Sequence, residues 1–166
     1  MVGQVHTWRH EGRNITFTWL GESDVIPNRV YALAITASGN MLLVREVGGN
    51  EWLLPGGGVE AGESAADALR RELLEEAAAD ILALSYLGTQ QAFDPLYGES
   101  FQAFYWARVS LAEAYTPQLE IAERRLVGPE AFLNLLFWGR RDPKGEMLLT
   151  RALELNEAMS AGLKRR

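Results

Sequence analysis

The distribution of apolar and polar residues along the chain first predicts a series of β-strands. Residues 14–20 alternate polar and apolar positions, as expected for a strand with one buried face. Residues 30–36 and 41–47 are more uniformly apolar, and the turn sequence Ala37-Ser38-Gly39-Asn40 between them predicts a hairpin. Further strands are predicted over residues 81–92, 101–109 and 120–127.

Helical spacing of apolar residues appears in three segments. In residues 64–77, Leu69, Leu73 and Ala77 recur at helical intervals, and Ser64 can cap the N-terminus with Asp67 as a weaker capping-box partner. Residues 129–137 open with a proline at a first helical position, and residues 146–163 form an amphipathic terminal helix. The order of elements predicts an α+β or α/β fold, with a mixed β-sheet sandwiched between helices in one domain over residues 1–166.

Composition limits the classes of function. With 166 residues, 48% of them hydrophobic, the chain can bury a core without cross-links, and it has no cysteine for disulfides, thiolate zinc sites or nucleophiles. We find no secretory signal pattern and no apolar run of ~20 residues, so we expect a cytoplasmic protein without a membrane partner. The net charge of -6 disfavours a nucleic acid polymer as partner. An acidic enzyme acting on an anionic substrate would need a metal ion or a local basic cluster.

The segment after Leu54 carries the candidate chemistry. Glu72, Glu75 and Glu76 are three and four residues apart, so their carboxylates share one face of the predicted helix and repel one another. Mg²⁺ prefers oxygen ligands and would offset this repulsion. Four glycines in residues 56–62 form a loop whose backbone can approach a metal or phosphate, directly before a helix N-terminus that favours negative charge.

Residues 57–79 resemble the Nudix box, which reads Gly, five residues, Glu, seven residues, Arg-Glu, aliphatic, any residue, Glu-Glu, any residue, Gly, aliphatic. The positions in register are Gly57, Glu63, Arg71, Glu72, Leu73, Glu75 and Glu76. Ala78 replaces the closing glycine, and Ala79 takes the final aliphatic position. Alanine adopts the left-handed conformation usual after a helix at a cost of ~1 kcal/mol, and the alternative is that the helix extends to Asp80.

The resemblance implies a Nudix fold with α/β/α layers and a hydrolase that depends on Mg²⁺ or Mn²⁺. It implies a metal site formed by Glu72, Glu75 and Glu76 with the backbone at Gly57. Arg71 would orient the glutamates and Glu63 would hold Arg71. A glutamate would act as general base, either in the box or on a later segment. Outside the box, Glu123 is the first candidate for a further metal ligand or base, and Glu120 is the second. The alternative for both is that they are solvated charges. Glu60 is a further candidate metal contact, with a position on the surface loop as its alternative.

The implied substrate is a nucleoside diphosphate linked to another group: ADP-ribose or a nucleotide sugar, a dinucleoside polyphosphate, or a modified nucleoside triphosphate. Pro95 and Tyr97 lie in one loop, where the markers for the first and second of these classes conflict. Arg29 is a candidate phosphate contact or a plain strand-end charge, and Phe93 and Tyr97 either stack on a base or fill a loop core. A catalytically inactive nucleotide-binding regulator is the alternative function. The oligomeric state is not readable from the sequence, and a homodimer is one option because many family members are dimers.

Three other features receive a structural interpretation first. His6 and His10 are interpreted as surface residues, and Trp52 as a packing residue that anchors the glycine loop. Residues 138–144 are basic and rich in turn-forming residues. We interpret this segment as a connection between helices, with a lid over an anionic substrate as the alternative.

Overall fold

A computed structural model describes residues 1–117 and 121–164. The strands are β1 (Val5–His10), β2 (Arg13–Gly21), β3 (Arg29–Thr36), β4 (Met41–Glu46), β5 (Gly56–Gly58), β6 (Ala79–Asp94), β7 (Gly98–Leu111) and β8 (Ile121–Val127). The helices are α1 (Ala65–Ala77), α2 (Pro129–Leu135) and α3 (Lys144–Lys164). No helix among the described residues combines the length and apolar character needed to cross a membrane.

The eight strands of the described residues form one mixed sheet in the order β1-β2-β6-β7-β3-β4-β8, with β5 paired to β3. The β3 and β7 strands run parallel, with Arg29 opposite Gln102 at one end and Thr36 opposite Val109 at the other. The other pairs are antiparallel. The predicted hairpin between β3 and β4 is confirmed, with Ile35 opposite Met41.

Helices cover both faces of the sheet because successive side chains of a strand point to opposite sides. The β3 residues Val30, Ala32 and Ala34 belong to a core that also contains Leu69 and Leu73 of α1. The intervening β3 residues Leu33 and Ile35 belong to a second core with Phe132 of α2 and Leu148 of α3. The predicted mixed sheet between helices is therefore confirmed.

Two strands were absent from the sequence prediction. The β1 strand alternates exposed and half-buried residues at the edge of the sheet, so it has no strongly apolar face to reveal it. The β5 strand consists of three glycines, which carry no side-chain pattern, and it forms only because β3 pairs with it from Arg29 to Tyr31. Predicted helix ends differ by two residues in α2 and at the start of α3, which is common at frayed termini.

Both ends of α1 show why the helix has these bounds. At the N-terminus, the Ser64 hydroxyl accepts a hydrogen bond of 3.1 Å from the backbone N–H of Asp67, as predicted. At the C-terminus, Ala78 is left-handed, with φ 47° and ψ 46°, and its N–H donates to Leu73 and Leu74 carbonyls. The alternative that the helix extends to Asp80 is wrong, because β6 begins at Ala79 and pairs with β7.

Candidate active site

Arg71 is the centre of the charged network at the candidate site. Its guanidinium donates two hydrogen bonds of 3.0 Å to the Glu63 carboxylate, one of 2.9 Å to Glu72 and one of 3.0 Å to the carbonyl of Gly58. Its Nη1 also lies 3.6 Å from the Glu75 carboxylate. One cation thus joins the loop before α1 to two glutamates on the helix.

This network stabilises the charged forms of Glu63 and Arg71. The pKa of Glu63 lies below its usual value, first because Arg71 donates hydrogen bonds to it and next because the Glu60 N–H does so. The pKa of Arg71 is raised, chiefly by hydrogen bonding to Glu63 and next by Glu72. Arg71 and Glu63 therefore form a charged pair at neutral pH.

The β5 glycines allow the helix carboxylates to approach the backbone. A Cβ atom on Gly57 would lie 2.4 Å from Glu72 Oε1, so only glycine leaves that carboxylate its position. The Gly56 N–H donates a 2.8 Å hydrogen bond to Glu76 Oε2. Gly56 itself has a φ of 144°, and a Cβ there would lie 2.1 Å from the Val30 carbonyl oxygen. Gly56 is therefore required by the backbone of β3, whereas Gly57 is required by the position of the Glu72 carboxylate.

The donor set matches what a hard divalent cation needs. Glu72, Glu75 and Glu76 offer carboxylate oxygens on the side of α1 that faces β5, and carbonyl oxygens of β5 lie beside them. Within residues 1–117 and 121–164, no three acidic or histidine side chains already converge on one point. Arg71 and the Gly56 N–H occupy carboxylate oxygens in this arrangement. The oxygen ligands of these residues are of the kind that Mg²⁺ prefers, and the glutamate side chains must rotate to bring them onto one ion.

The other acidic candidates lie in different surroundings. The Glu123 side chain, 44% exposed on β8, forms a short ion pair with Arg45 of β4. Glu60 is exposed in the loop before α1. Glu120 lies outside the described residues. Glu46 was missed by the sequence reasoning, because a charge at a strand end carries no motif; it lines the same cavity as Glu76.

That cavity, of about 240 Å³, extends across the sheet beside the box. Glu76, Gly56 and Glu46 line it together with Arg29, which also contributes to a second, outer groove. Arg29 Nε donates a 2.8 Å hydrogen bond to the Tyr31 hydroxyl. The pKa of Arg29 is raised, first by Tyr31 and to a smaller extent by Glu72 and Glu46, so a permanent cation lies next to the glutamates.

Aromatic side chains form most of the remaining wall. They come from β1, β2, β3 and β7 and from the connection between α2 and α3, and none was identified as a site residue from the sequence. They are Trp8, Phe17, Tyr31, Phe104, Phe137 and Trp138. The pairing of β1 with β2 places Trp8 opposite Ile15 and Phe17 opposite His6. His6 is half-buried and accepts a hydrogen bond from the Trp8 indole, so its interpretation as a surface residue was incomplete.

Lys144 is the cationic residue that lies among these aromatic rings. It is 3% exposed, forms a short ion pair with the equally buried Asp142, and lies 4.3 Å from the ring centre of Trp138. Burial lowers the pKa of its ammonium group. Residues 138–144 do connect α2 to α3, and two of them also line the cavity.

The two predicted stacking residues lie farther out. Tyr97 is 78% exposed at the turn between β6 and β7, lines the outer groove with Arg29, and has the Arg13 guanidinium 5.5 Å above its ring. Phe93 is half-exposed on β6, opposite Thr16 of β2. Trp52 is buried, with the guanidinium groups of Arg45 and Arg125 at 5.2 Å and 5.6 Å from its ring centre, which supports its interpretation as a packing residue.

Comparisons with known proteins agree with this geometry. The Bacillus subtilis pyrophosphohydrolase BsRppH has a similar structure, with a TM-score of 0.69 at 19% identity, over 90% of this chain and 96% of that chain. A MutT protein from Methanosarcina mazei Go1 gives a TM-score of 0.57 at 23% identity, over 77% and 93% of the two chains. A UDP-X diphosphatase gives 0.57 at 20% identity, over 80% and 64%. These three likenesses establish the fold.

A search of the curated proteins found no significant match. The NUDIX domain family matches residues 26–152, which include the glycine loop, the whole of α1 and most of the cavity wall. The sequence of the box, the arrangement of Arg71 with its glutamates and this match lead to one assignment. The chain belongs to the Nudix hydrolase family.

Proposed function

We propose that this Nudix hydrolase cleaves a diphosphate bond in a nucleoside diphosphate linked to another group, in a reaction that depends on Mg²⁺ or Mn²⁺. The observation that carries the proposal is the contact between β5 and α1. There, Gly57 leaves room for the Glu72 carboxylate and the Gly56 N–H holds Glu76. Glu72, Glu75 and Glu76, with the backbone at Gly57, would hold the ion.

When bound, the ion would neutralise charge on the diphosphate and lower the pKa of a water molecule. The chain's own residues supply position and charge. Arg71 fixes Glu72 and draws Glu75 towards the loop, while Glu63 holds Arg71 from the opposite side. These contacts keep the glutamates beside the loop, so only rotations of their side chains are needed to bring the carboxylates onto an ion.

Arg29 is proposed to bind a phosphate oxygen of the substrate. It lines both the cavity beside Glu76 and the outer groove, so its guanidinium can reach a diphosphate that lies between them. Tyr97 and Phe93 are proposed to contact the group on the far side of the diphosphate. Tyr97 lines the outer groove, and Phe93 lies on β6 just before it. The general base is proposed to be a glutamate of the box; the ion pair of Glu123 with Arg45 favours a supporting role for Glu123.

A panel of nucleoside diphosphate derivatives tests the proposal directly. It should contain a nucleotide sugar, ADP-ribose, a dinucleoside polyphosphate and a modified nucleoside triphosphate, each with Mg²⁺ and with a chelator. We expect at least one compound to release a nucleotide only when metal is present. Ion-exchange chromatography, which separates nucleotides by their number of phosphates, would measure this release. If no compound is hydrolysed with metal, the inactive nucleotide-binding regulator becomes the better description.

Glu76→Gln tests the metal assignment within that panel. A glutamine oxygen can still accept the hydrogen bond from the Gly56 N–H, so we expect the fold to be retained. Loss of the ligand charge should lower turnover by ~100-fold or more. If Glu76→Gln keeps turnover near the wild-type value, Glu76 is not a ligand of the metal. The cytoplasmic location and the homodimer stay predictions, and light scattering would test the latter.

A further inference from the structure

We infer that the aromatic cavity beside the box binds the base of the substrate and that Lys144 selects a base with a carbonyl edge, such as guanine, over adenine. The inference rests on the proposed function for the chemistry at the diphosphate, but it concerns a different part of the chain. Lys144 lies at the start of α3, outside the Nudix box.

The wall of the cavity suits a flat, weakly polar ring. Six aromatic side chains line it, and the β2 and β7 rings Phe17 and Phe104 lie on the same side of the sheet as Tyr31. Base–aromatic stacking is favourable for any base, because each base has a π-face. The aromatic rings therefore explain binding of a base without explaining a choice between bases.

The cavity is continuous with the candidate metal site, at a distance that suits a nucleoside. Strand β3 lies between β7 and β5: its Arg29 is opposite Gln102 of β7, and its Tyr31 is opposite Gly56 of β5. Two strand spacings, ~10 Å, therefore separate the β7 wall from the backbone that holds Glu76. A ribose can bridge that distance between a base in the cavity and a phosphate at the box.

The charge in the cavity favours a neutral acceptor. Lys144 is paired with Asp142, and its ammonium lies within 6.0 Å of the ring centres of Trp8, Phe17, Phe104 and Trp138. The pair has no net charge, and Arg29 offsets only one of the two glutamates, Glu46 and Glu76, that line the same cavity. A second phosphate would therefore be repelled there, whereas a carbonyl oxygen can accept a hydrogen bond from the ammonium.

The choice between bases follows from donors and acceptors at one ring edge. Guanine presents O6 and N7, which are both acceptors, while adenine presents N7 beside an amino donor. An ammonium group has three donors and no acceptor, so it pairs with the first edge and meets a repelling donor at the second. The neighbouring amides of Gln90 and Gln102 are bonded to each other at 2.8 Å. Arg29, the other cation of the wall, is bonded to the Tyr31 hydroxyl on the side of the glutamates, so Lys144 is the charged donor that lies among the rings of Trp8, Phe17, Phe104 and Trp138.

Binding of reaction products tests the inference without turnover. Guanosine, inosine and adenosine 5′-monophosphates would be titrated into the wild-type protein by calorimetry, with ribose 5-phosphate as the baseline. Inosine carries the carbonyl without the extra amino group of guanosine. We expect guanosine and inosine monophosphates to bind ~10-fold or more tightly than adenosine monophosphate, the size of one hydrogen bond to a charged group.

Variants then assign the preference to Lys144. Lys144→Met leaves Asp142 buried without its partner, so the double variant Asp142→Asn, Lys144→Met accompanies it. Arg140→Met, an exposed cation of the same connection, is the matched control. In both Lys144 variants the preference should fall to within about twofold, because the guanosine and inosine monophosphates lose their hydrogen bond to the ammonium, while Arg140→Met keeps the preference.

Two outcomes would overturn the inference: a wild-type protein that binds adenosine monophosphate equally well, or a preference that survives in the Lys144 variants. If the variants fail to fold, lysine-labelled wild-type protein still decides, because the sequence contains only two lysines. The ¹³Cε signal of Lys144 should shift with inosine monophosphate more than with adenosine monophosphate, and equal shifts would refute the assignment. Failure of the proposed function would look different: base-selective binding would persist although no compound of the panel is hydrolysed.

Discussion

Gly57→Ala is the substitution that best separates the arrangement of the site from the stability of the fold. The new Cβ would lie 2.4 Å from Glu72 Oε1 and 2.6 Å from its Cδ. The carboxylate must therefore move by about 1 Å to reach an ordinary contact, and a shift of this size in a reacting group can lower a rate ~100-fold. We expect turnover of the best panel substrate to fall by that order.

Stability should change little in the same variant. Gly57 has no left-handed backbone angle, and the atoms in conflict belong to the far end of a flexible side chain. Alanine also reduces the conformational freedom of the unfolded chain, which favours folding by ~0.4–1 kcal/mol. The free energy of unfolding, measured by urea titration, should stay within about 1 kcal/mol of the wild type.

The two neighbouring glycines provide matched controls. A Cβ on Gly58 meets nothing within 4 Å, so Gly58→Ala should keep both turnover and stability. A Cβ on Gly56 meets the Val30 carbonyl oxygen and needs a left-handed backbone, so Gly56→Ala should destabilise the fold itself. Wild-type turnover in Gly57→Ala, or equal losses in Gly57→Ala and Gly58→Ala, would refute the proposed position of Glu72 in the reaction.

Three further predictions concern α1 and β8. Ala78→Gly should raise the free energy of unfolding by ~1 kcal/mol in urea titrations, because it removes the left-handed strain of alanine, and an unchanged or lower value would contradict this account. Glu63 has a lowered pKa, so its stabilising effect is present at neutral pH and is lost as the pH falls below about 4; the difference in unfolding free energy between wild type and Glu63→Gln should shrink there, and a difference that stays constant would refute the assignment. Glu123→Gln should lower turnover by less than ~10-fold, since its carboxylate is paired on β8, and a larger loss would move the general base to Glu123.

The sequence predicted the parts of the fold whose information is local. Helix α1 has its apolar residues, its Ser64 cap and its charged face within one segment, and β3 and β4 are joined by a short turn. The charged site was predictable for the same reason, because Glu63, Arg71 and the three glutamates of α1 lie in fourteen consecutive positions. A helix fixes such spacing regardless of the rest of the chain.

The cavity could not be predicted in this way. Its wall comes from strands β1, β2, β3 and β7 and from the connection before α3, which sheet pairing brings together across the chain. Lys144 lies in a stretch that looks like a basic surface connection in sequence, since Arg140 and Arg141 precede it. Its burial depends on Asp142 and on four rings from other elements, and none of these contacts has a signature at fixed spacing.

Ala78 shows how tertiary contacts can preserve a motif that departs from its family pattern. Helix α1 still ends at Ala77, because Arg124 donates to the Ala77 carbonyl and the Tyr115 hydroxyl donates to that of Glu76. The Ala112 N–H bonds the Ala78 carbonyl at 3.0 Å, and β6 begins at the next residue. These partners fix the left-handed turn that glycine would adopt without strain. The register of the helix carboxylates is therefore kept, and the substitution of the closing glycine affects the stability of the helix exit and not the chemistry of the site.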